Sequence, residues 1–311
     1  LTLINDIELE AYLRGVVPWE IGRHDRSRLA ALEAQAVAAR TYTISHLGAR
    51  RDRGFDVFAD VMDQVYRGAR DEDPLCNEAI ERTAGIVLRH EGTEVEAYYS
   101  ACCGGVSSQV DEVWPRAPRP YLTSRRDGPP DGDPWCAGSR HFHWRETWSR
   151  AELEAILART LPAYVDYLAT NGRGVWAGPT FSPRDGASDP RRPGALRDLE
   201  ILRRTVSGRV ADLAVTTDAG VYHVRGDRVR WVLEPASGQP AILRSALCDL
   251  DLERVGDTLR RVAVRGRGFG HGIGMCQTGA LEMARRGFTS AQVLEHYYPG
   301  AALVRLPDPR P

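Results

Sequence analysis

"LAALEAQAVAARTYTISHLG", Leu29 to Gly48, is the stretch on which the fold turns. Ser27 is a fitting N-cap, Gly48 a fitting stop, and the spacing between them predicts one helix to about Leu47. So many alanines let other elements come close to its backbone. The segment therefore reads as the buried central helix of a domain.

Working outward, Leu9, Tyr12, Leu13 and Val16 recur at helical spacing, with Asn5 or Asp6 as cap. Pro18 ends that helix, because the residue before a proline is pushed out of the helical region. Glu20 then falls in a joint between two helices, behind Pro18 and Trp19. Downstream, Phe55 to Tyr66 reads as extended loop and Cys76 to Ala84 as helix. Ile86–His90 and Glu94–Ser100 read as a hairpin turning at Gly92. Ser149 and Glu152 have the spacing of a capping box that opens a helix to about Tyr167. Asn171 to Ala195, dense in Gly, Pro, Asp and Arg, reads as a loop excursion. Asp198–Val206, Arg209–Thr217 and Val221–Arg225 alternate like a meander, and Arg260–Arg265 reads as a further strand. Helices are expected at about Met275–Arg286 and Ser290–Tyr298. The expectation is an α+β fold in one large domain, with helices at both ends packed on antiparallel sheet. Its parts are residues 1–148, the excursion 149–197, and residues 198–311, with a substrate cleft between elements.

The chain has 311 residues, enough to bury a sizeable core. A net charge of -1 does not advertise nucleic acid as a partner. All 41 cationic residues are arginine, which excludes Schiff-base and other lysine chemistries. No apolar run reaches the length of a membrane span. The chain opens at Leu1 without a signal-peptide pattern, as expected of a mature or trimmed form. Six cysteines are too few for a disulfide scaffold at this length.

Several segments could carry chemistry. "GRGFGHGIG" repeats glycine at every second position from Gly266 to Gly274, which no dinucleotide fingerprint does. Period-two glycine leaves one side of an extended segment bare, as a groove floor, with His271 on the opposite side. "SACCGG" and "DPWCAGSRHFHW" gather Cys102, Cys103, Cys136, His141 and His143. Thiolate and imidazole together suit zinc, but no local C-x-x-C supports it. A Cys103–Cys136 disulfide and free buried thiols are the other readings. Cys276 reads as a small packed residue at a helix start. Glu20, with Val17, Pro18, Trp19 and Ile21 around it, is either a solvated charge or an acid whose pKa is raised by desolvation. Two carboxylates would indicate glycoside hydrolysis. Asp60, Asp63, Glu96, Asp111 and Glu112 are all candidates for the second, with none preferred.

Taken in order, "LEAYLRGVVPWEI", "LEAQAVAARTY", "DQVYRG", "EAYYSACCGG", "EVWPRAPRPYL" and "GRGFGHGIGMCQTGALEMARRG…LEHYYPG" resemble the SpoIID/LytB family over nearly the whole chain, from Leu9 to Gly300. The resemblance implies a peptidoglycan lytic transglycosylase working outside the cytoplasm on glycan strands stripped of peptide, with Glu20 as its acid. Such an enzyme needs no second carboxylate, because the 6-hydroxyl of muramic acid attacks the anomeric carbon. It implies roles for Gln35, Arg40 and Tyr42 in bracing the site, although Arg40 could equally be a surface charge beside Glu33. Tyr99 and Ser100 would form the cleft wall, and His271 and Gln277 would contact sugar. No cofactor is required, but a structural zinc on Cys102, Cys103, Cys136 and His141 is implied beside the disulfide alternative. The family's usual histidine in the "SACCGG" block is Ser100 here, and its usual serine before Gln277 is Cys276. The alternative function is a wall-binding enhancer of an amidase that does not cut glycan.

Overall fold

A computed structural model describes residues 3–171, 179–184 and 189–307. The chain begins with α1 (Leu9–Arg14), α2 (Val17–Glu20), α3 (Leu29–Ser45) and α4 (Pro74–Arg82). Then come β1 (Ile86–His90), β2 (Thr93–Glu94), β3 (Tyr99–Ser100) and α5 (Val110–Val113). A second group follows: β4 (His143–Ser149), α6 (Arg150–Asn171), β5 (Phe181–Pro183), β6 (Leu196–Arg204), β7 (Val210–Thr217), β8 (Gly220–Arg225), α7 (Val229–Val232), β9 (Cys248–Val255) and β10 (Thr258–Arg267). The chain returns to the first group through β11 (Met275–Cys276), α8 (Gln277–Arg285), α9 (Ser290–Tyr297) and β12 (Ala302–Arg305). The fold is α+β, as the sequence implies.

Two hydrophobic cores organise these elements. The first is built around α3, where Ala31, Leu32 and every residue from Ala34 to Thr43 are buried. Alanine is what allows this, since α3 meets α4, α8, α9 and β1 on different sides. β1 lies between β12 and β2, so Ile86–Glu94 and the late strand Ala302–Arg305 share one antiparallel sheet. The second core lies wholly within residues 144–264 and is centred on Trp148, Leu153, Leu161 and Tyr222. There α6 packs beside a sheet ordered β4-β10-β9 and another ordered β5-β8-β7-β6.

Several local expectations are corrected. α1 ends at Arg14 and is capped by the Glu8 side chain rather than by Asn5 or Asp6. Pro18 does not stop a helix. It sits in the first turn of α2, where its missing N–H costs nothing, so Glu20 ends a helical turn instead of lying in a loop. Asp25, not Ser27, supplies the cap before α3. The hairpin ends at Glu94, and Tyr99–Ser100 instead pairs in parallel with Met275–Cys276. The excursion is wider than residues 149–197: it begins at β4 and includes β9, a strand absent from the sequence reading. Phe181–Pro183, within the expected loop, is a strand on β8. Part of that loop lies outside the described residues.

The glycine-rich stretch also differs from expectation. Gly270 and Gly274 have φ of +115° and +67°, so the segment turns repeatedly instead of lying flat. A Cβ at Gly274 would collide with the Tyr98 carbonyl, and one at Gly270 would lie 2.7 Å from Ser100 Cβ. The bare side of this segment is therefore filled by the chain itself: residues 98–104 against Gly268, Gly270 and Gly274, Trp144 against Gly266 and Arg209 against Gly272. That is what ties β3 to β11 and aligns Ser100 with Cys276.

Candidate active site

α2 projects Glu20 from a turn whose Val17 and Pro18 are anchored in the first core, while Trp19 stays 42% exposed. The Glu20 carboxylate accepts the Val65 backbone N–H at 2.6 Å and a second hydrogen bond from the Gln277 side chain. Burial raises its pKa from 4.5 to about 7, against the opposing effect of those two donors. No other charge contributes to the shift, so desolvation alone places the group in the range a general acid needs.

The neighbours form a polar ring with gaps in it. Gln277 Nε2 donates to Gln35 Oε1 at 3.2 Å, and Gln35 is fully buried on α3. The Tyr99 hydroxyl donates to Gln64 Oε1 at 2.9 Å, and Gln64 Nε2 donates to Thr43 at 2.7 Å. Burial, with the Glu20 charge adding to it, holds the phenols of Tyr12 and Tyr99 well above the usual range. Three buried atoms here have no hydrogen-bond partner: the Tyr12 hydroxyl, Gln35 Nε2 and the Ser100 hydroxyl. A buried polar group without a partner costs roughly 1–3 kcal/mol, so such a cluster is suited to a hydroxyl- and amide-rich ligand. Outside the ring, Arg23 and Arg67 lie over the Trp19 indole at 5.9 and 5.6 Å.

The remaining candidates divide. Tyr42 donates to Asp63 at 2.8 Å, and Asp63 also pairs with Arg50 at 2.9 Å. It supports the loop carrying Gln64 and Val65 without facing Glu20. Arg40 is neither a surface charge beside Glu33 nor a group open to ligand: it is fully buried and grips Glu10 with two bonds of 2.7 Å. It also donates to the Ile86 carbonyl, locking α1, α3 and β1 together. Glu33 pairs with Arg82 instead.

His271 has both ring nitrogens engaged. Ile273 N–H donates to Nδ1 at 3.0 Å, which fixes the proton on Nε2, and Nε2–H donates to the Tyr99 carbonyl at 2.9 Å. Burial lowers its pKa to about 4, so it is neutral, and no nitrogen is left for sugar. Its contribution is to hold Tyr99. Of the proposed second carboxylates, Glu96 is paired with Arg116 and Arg119, Asp60 caps the Met62 amide, and Asp111 accepts from Gln109. Glu112 has buried, unpartnered oxygens, but neither it nor any other carboxylate acts on Glu20.

Gln64, the Val65 amide and Tyr12 were not singled out in sequence. Gln64 lies within the quoted "DQVYRG" block, which was the available signal. Tyr12 passes as an ordinary apolar position of α1, and a backbone amide leaves no mark in sequence.

The proposed zinc set is revised as well. His141 packs against Phe269 with ring centres 4.8 Å apart and takes no part in the thiol cluster. The groups that converge are Cys103, Cys136, Cys276 and Asp127, with ligand atoms all within 4.8 Å of one another. Cys102 touches this cluster through hydrogen bonds to Cys136 and Cys276. Thiol donors around its sulfur lower the pKa of Cys136, while burial raises those of Cys103 and Cys276. Every cysteine is a free thiol, and the Cys103 and Cys136 sulfurs stand 3.6 Å apart.

The model of the stage II sporulation protein family, SpoIID, matches residues 1–90. The chain is 27% identical to stage II sporulation protein D of Bacillus subtilis, over 96% of this chain and 75% of that one. Over residues 1–90 the chain is similar to the SpoIID family. It is also 28% identical to the amidase enhancer of Bacillus subtilis, over 94% of this chain but only 40% of that protein. An uncharacterised protein of Brachyspira hyodysenteriae is 26% identical, over 98% and 68% of the two chains. Residues 183–274, most of the second core's strands, match a domain of unknown function, DUF8618. The SpoIID match thus covers α1 to β1, the part that carries Glu20, Gln35 and Gln64. No helix among the described residues is long and apolar enough to cross a membrane.

Proposed function

We propose that the chain cuts peptidoglycan glycan strands as a lytic transglycosylase, with Glu20 as both acid and base. The observation that carries this reading is a half-buried glutamate whose desolvation raises its pKa to about 7 and on which no second carboxylate acts. A hydrolase of the two-carboxylate kind would need a partner to activate water or attack carbon. A single group suffices if the nucleophile belongs to the substrate. Protonated Glu20 gives its proton to the glycosidic oxygen between N-acetylmuramic acid and N-acetylglucosamine as that bond breaks. The resulting carboxylate takes the proton of the muramic acid 6-hydroxyl as its oxygen bonds to the anomeric carbon, which closes a 1,6-anhydro ring. The Val65 amide and Gln277 hold the carboxylate through the ionised stage. The unpartnered atoms of Tyr12, Gln35 and Ser100 supply donors and acceptors for hydroxyl and acetamido groups.

The reaction needs no metal or organic cofactor. Its substrate places the protein outside the cytoplasm. The relative named amidase enhancer adds a second reading, in which the chain binds the wall and assists an amidase without cutting glycan. Digestion of peptide-free glycan strands by the wild type and by Glu20→Gln, read by mass spectrometry, separates the two. Anhydro-muramic ends from the wild type alone are expected. Reducing ends would overturn the transglycosylase in favour of a hydrolase. Strand binding without cleavage would favour the enhancer.

A further inference from the structure

The chemistry at Glu20 leaves a buried cluster of thiols unused. Cys103 comes from the turn after β3, Cys136 from the segment before β4, and Cys276 from the last residue of β11. Asp127 reaches the same point from the loop after α5 and is 1% exposed. Its oxygens accept from Cys103 Sγ at 3.0 Å and from the Tyr297 hydroxyl at 2.7 Å, with His296 Nε2 at 3.5 Å. No arginine pairs with it among the described residues, so a buried carboxylate sits among thiols without a fixed cation. A Cβ at Gly279 would come within 2.8 Å of this carboxylate, so α8 is cut away to admit it.

The spacing of the sulfurs discriminates between occupants. Two thiolates bonded to one tetrahedral zinc ion at about 2.3 Å lie about 3.8 Å apart. Cys103 and Cys136 are 3.6 Å apart. A disulfide would require those sulfurs to close by about 1.5 Å, and it would leave Cys276 and Asp127 outside the bond. The Cys103 backbone N–H donates to Cys276 Sγ at 3.2 Å, the kind of amide support that a metal-bound thiolate receives. Arg209 is buried against the same turn, donating to the carbonyls of Cys103 at 2.7 Å and Val106 at 3.1 Å. Its charge offsets the net negative charge of three thiolates and a carboxylate around a dication.

We propose that Cys103, Asp127, Cys136 and Cys276 hold one zinc-class divalent ion as a closed structural centre. All four positions come from the protein, so none is open for substrate or water. The ion joins four stretches of chain that lie behind the cleft. One begins at Ser100, and another continues directly into Gln277, which bonds both Gln35 and Glu20. It is a pin for the cleft wall, and its existence does not depend on the reaction at Glu20.

The test is metal analysis of the full chain purified under reducing conditions without chelator, with Zn²⁺ and then Co²⁺ restored after stripping. One equivalent of metal per chain is expected, with thiolate-to-cobalt charge-transfer bands and a melting temperature that falls on chelation. Cys276→Ser and Asp127→Asn should weaken metal binding at least tenfold, while Cys102→Ser and His141→Ala retain it. A metal-free chain with titratable thiols, or one lighter by two hydrogens through a Cys103–Cys136 bond, would overturn the centre. Loss of metal from Cys102→Ser with retention in Asp127→Asn would overturn this ligand set. If the variants fail to fold, the cobalt spectrum of the unaltered chain and its loss on chelation still decide.

Discussion

The two cores of this molecule differ in how many polar groups they bury and leave unpaired. In the second, most buried polar side chains are paired: Arg230 donates to Asp227 and to the Leu243 carbonyl, and Thr160 bonds the carbonyls of Ile156 and Val232, while the Trp144 indole N–H has no partner. The first core instead buries Gln35, Arg40, Gln64 and Asp127, brought from distant parts of the chain, and leaves the Tyr12 hydroxyl and Gln35 Nε2 without partners. Unpaired buried polar atoms are rare because they cost stability, and where they persist a catalytic role, a bound water or an ion accounts for them. The difference teaches that the second core holds the strands in place while the first is shaped for something else. Perturbing each core should therefore have different consequences.

The largest effect expected is on catalysis. Glu20→Gln keeps a side chain of the same shape but cannot donate and reclaim a proton, so glycan cleavage should fall about 10²–10⁴-fold. With the wild type, cleavage should decline as pH rises through about 7, because the acid form of Glu20 is then lost. A steady-state pH profile on soluble glycan fragments checks this. An unchanged rate in the variant would break the functional half of the comparison.

Next in size is the buried ion pair. Removing one partner of such a pair typically costs about 3–5 kcal/mol, because the other is left uncompensated. Arg40→Ala should fall toward the lower part of that range, since Glu10 lies near the surface and can regain water. Urea unfolding measures the loss. A cost below about 1 kcal/mol would mean that Arg40 is not what holds α1 to α3.

Glu20 also makes a thermodynamic prediction. Its folded pKa, about 7, exceeds its unfolded value of 4.5, so between these values the folded state binds more protons than the unfolded one. Stability from this group is intact below pH 4.5, falls as pH rises toward 7, and stays low above it. The shift corresponds to at most about 3 kcal/mol. Glu20→Gln should thus be more stable than the wild type at pH 8 and should lose the advantage by pH 4.5. Parallel melting curves at the two pH values decide it. A destabilised variant at pH 8 would mean that the hydrogen bonds to Val65 and Gln277 outweigh the burial of charge.

How much of this could be read beforehand follows the same division. α3 was legible because a long alanine-rich stretch bounded by a cap and a glycine has few other readings. The meander was legible because β6, β7 and β8 alternate and are joined by short turns. β9 was not: "CDLDLERV" alternates as a strand does, but no turn directly precedes it, and its pairing with β10 is tertiary. Glu20 could be singled out from its apolar neighbours, but the Val65 amide that meets it lies 45 residues away and comes from a loop. His271 was legible as special and misread in role, because a sequence shows the imidazole and not the two backbone groups that occupy it. The thiol cluster was half legible: Cys103 and Cys136 stood out, whereas Cys276 and Asp127 are separated from them in sequence and joined by the return of the chain through β11.

The smallest effect belongs to the second core and tests its ordinariness. Ser149 and Glu152 form a reciprocal box at the start of α6: the Ser149 backbone N–H donates to the Glu152 carboxylate at 2.7 Å, and the Glu152 N–H donates to the Ser149 hydroxyl at 3.3 Å. Ser149→Ala removes the hydroxyl acceptor and leaves one helix-start amide to water. Such substitutions cost about 1 kcal/mol. The loss should appear in chemical denaturation, while glycan cleavage under native conditions stays unchanged, because nothing at this helix start touches the Glu20 ring. If Ser149→Ala lowered cleavage in proportion to stability, the two cores would be coupled through β4 and β10 more tightly than their separate packing implies. The division of labour between them would then have to be given up.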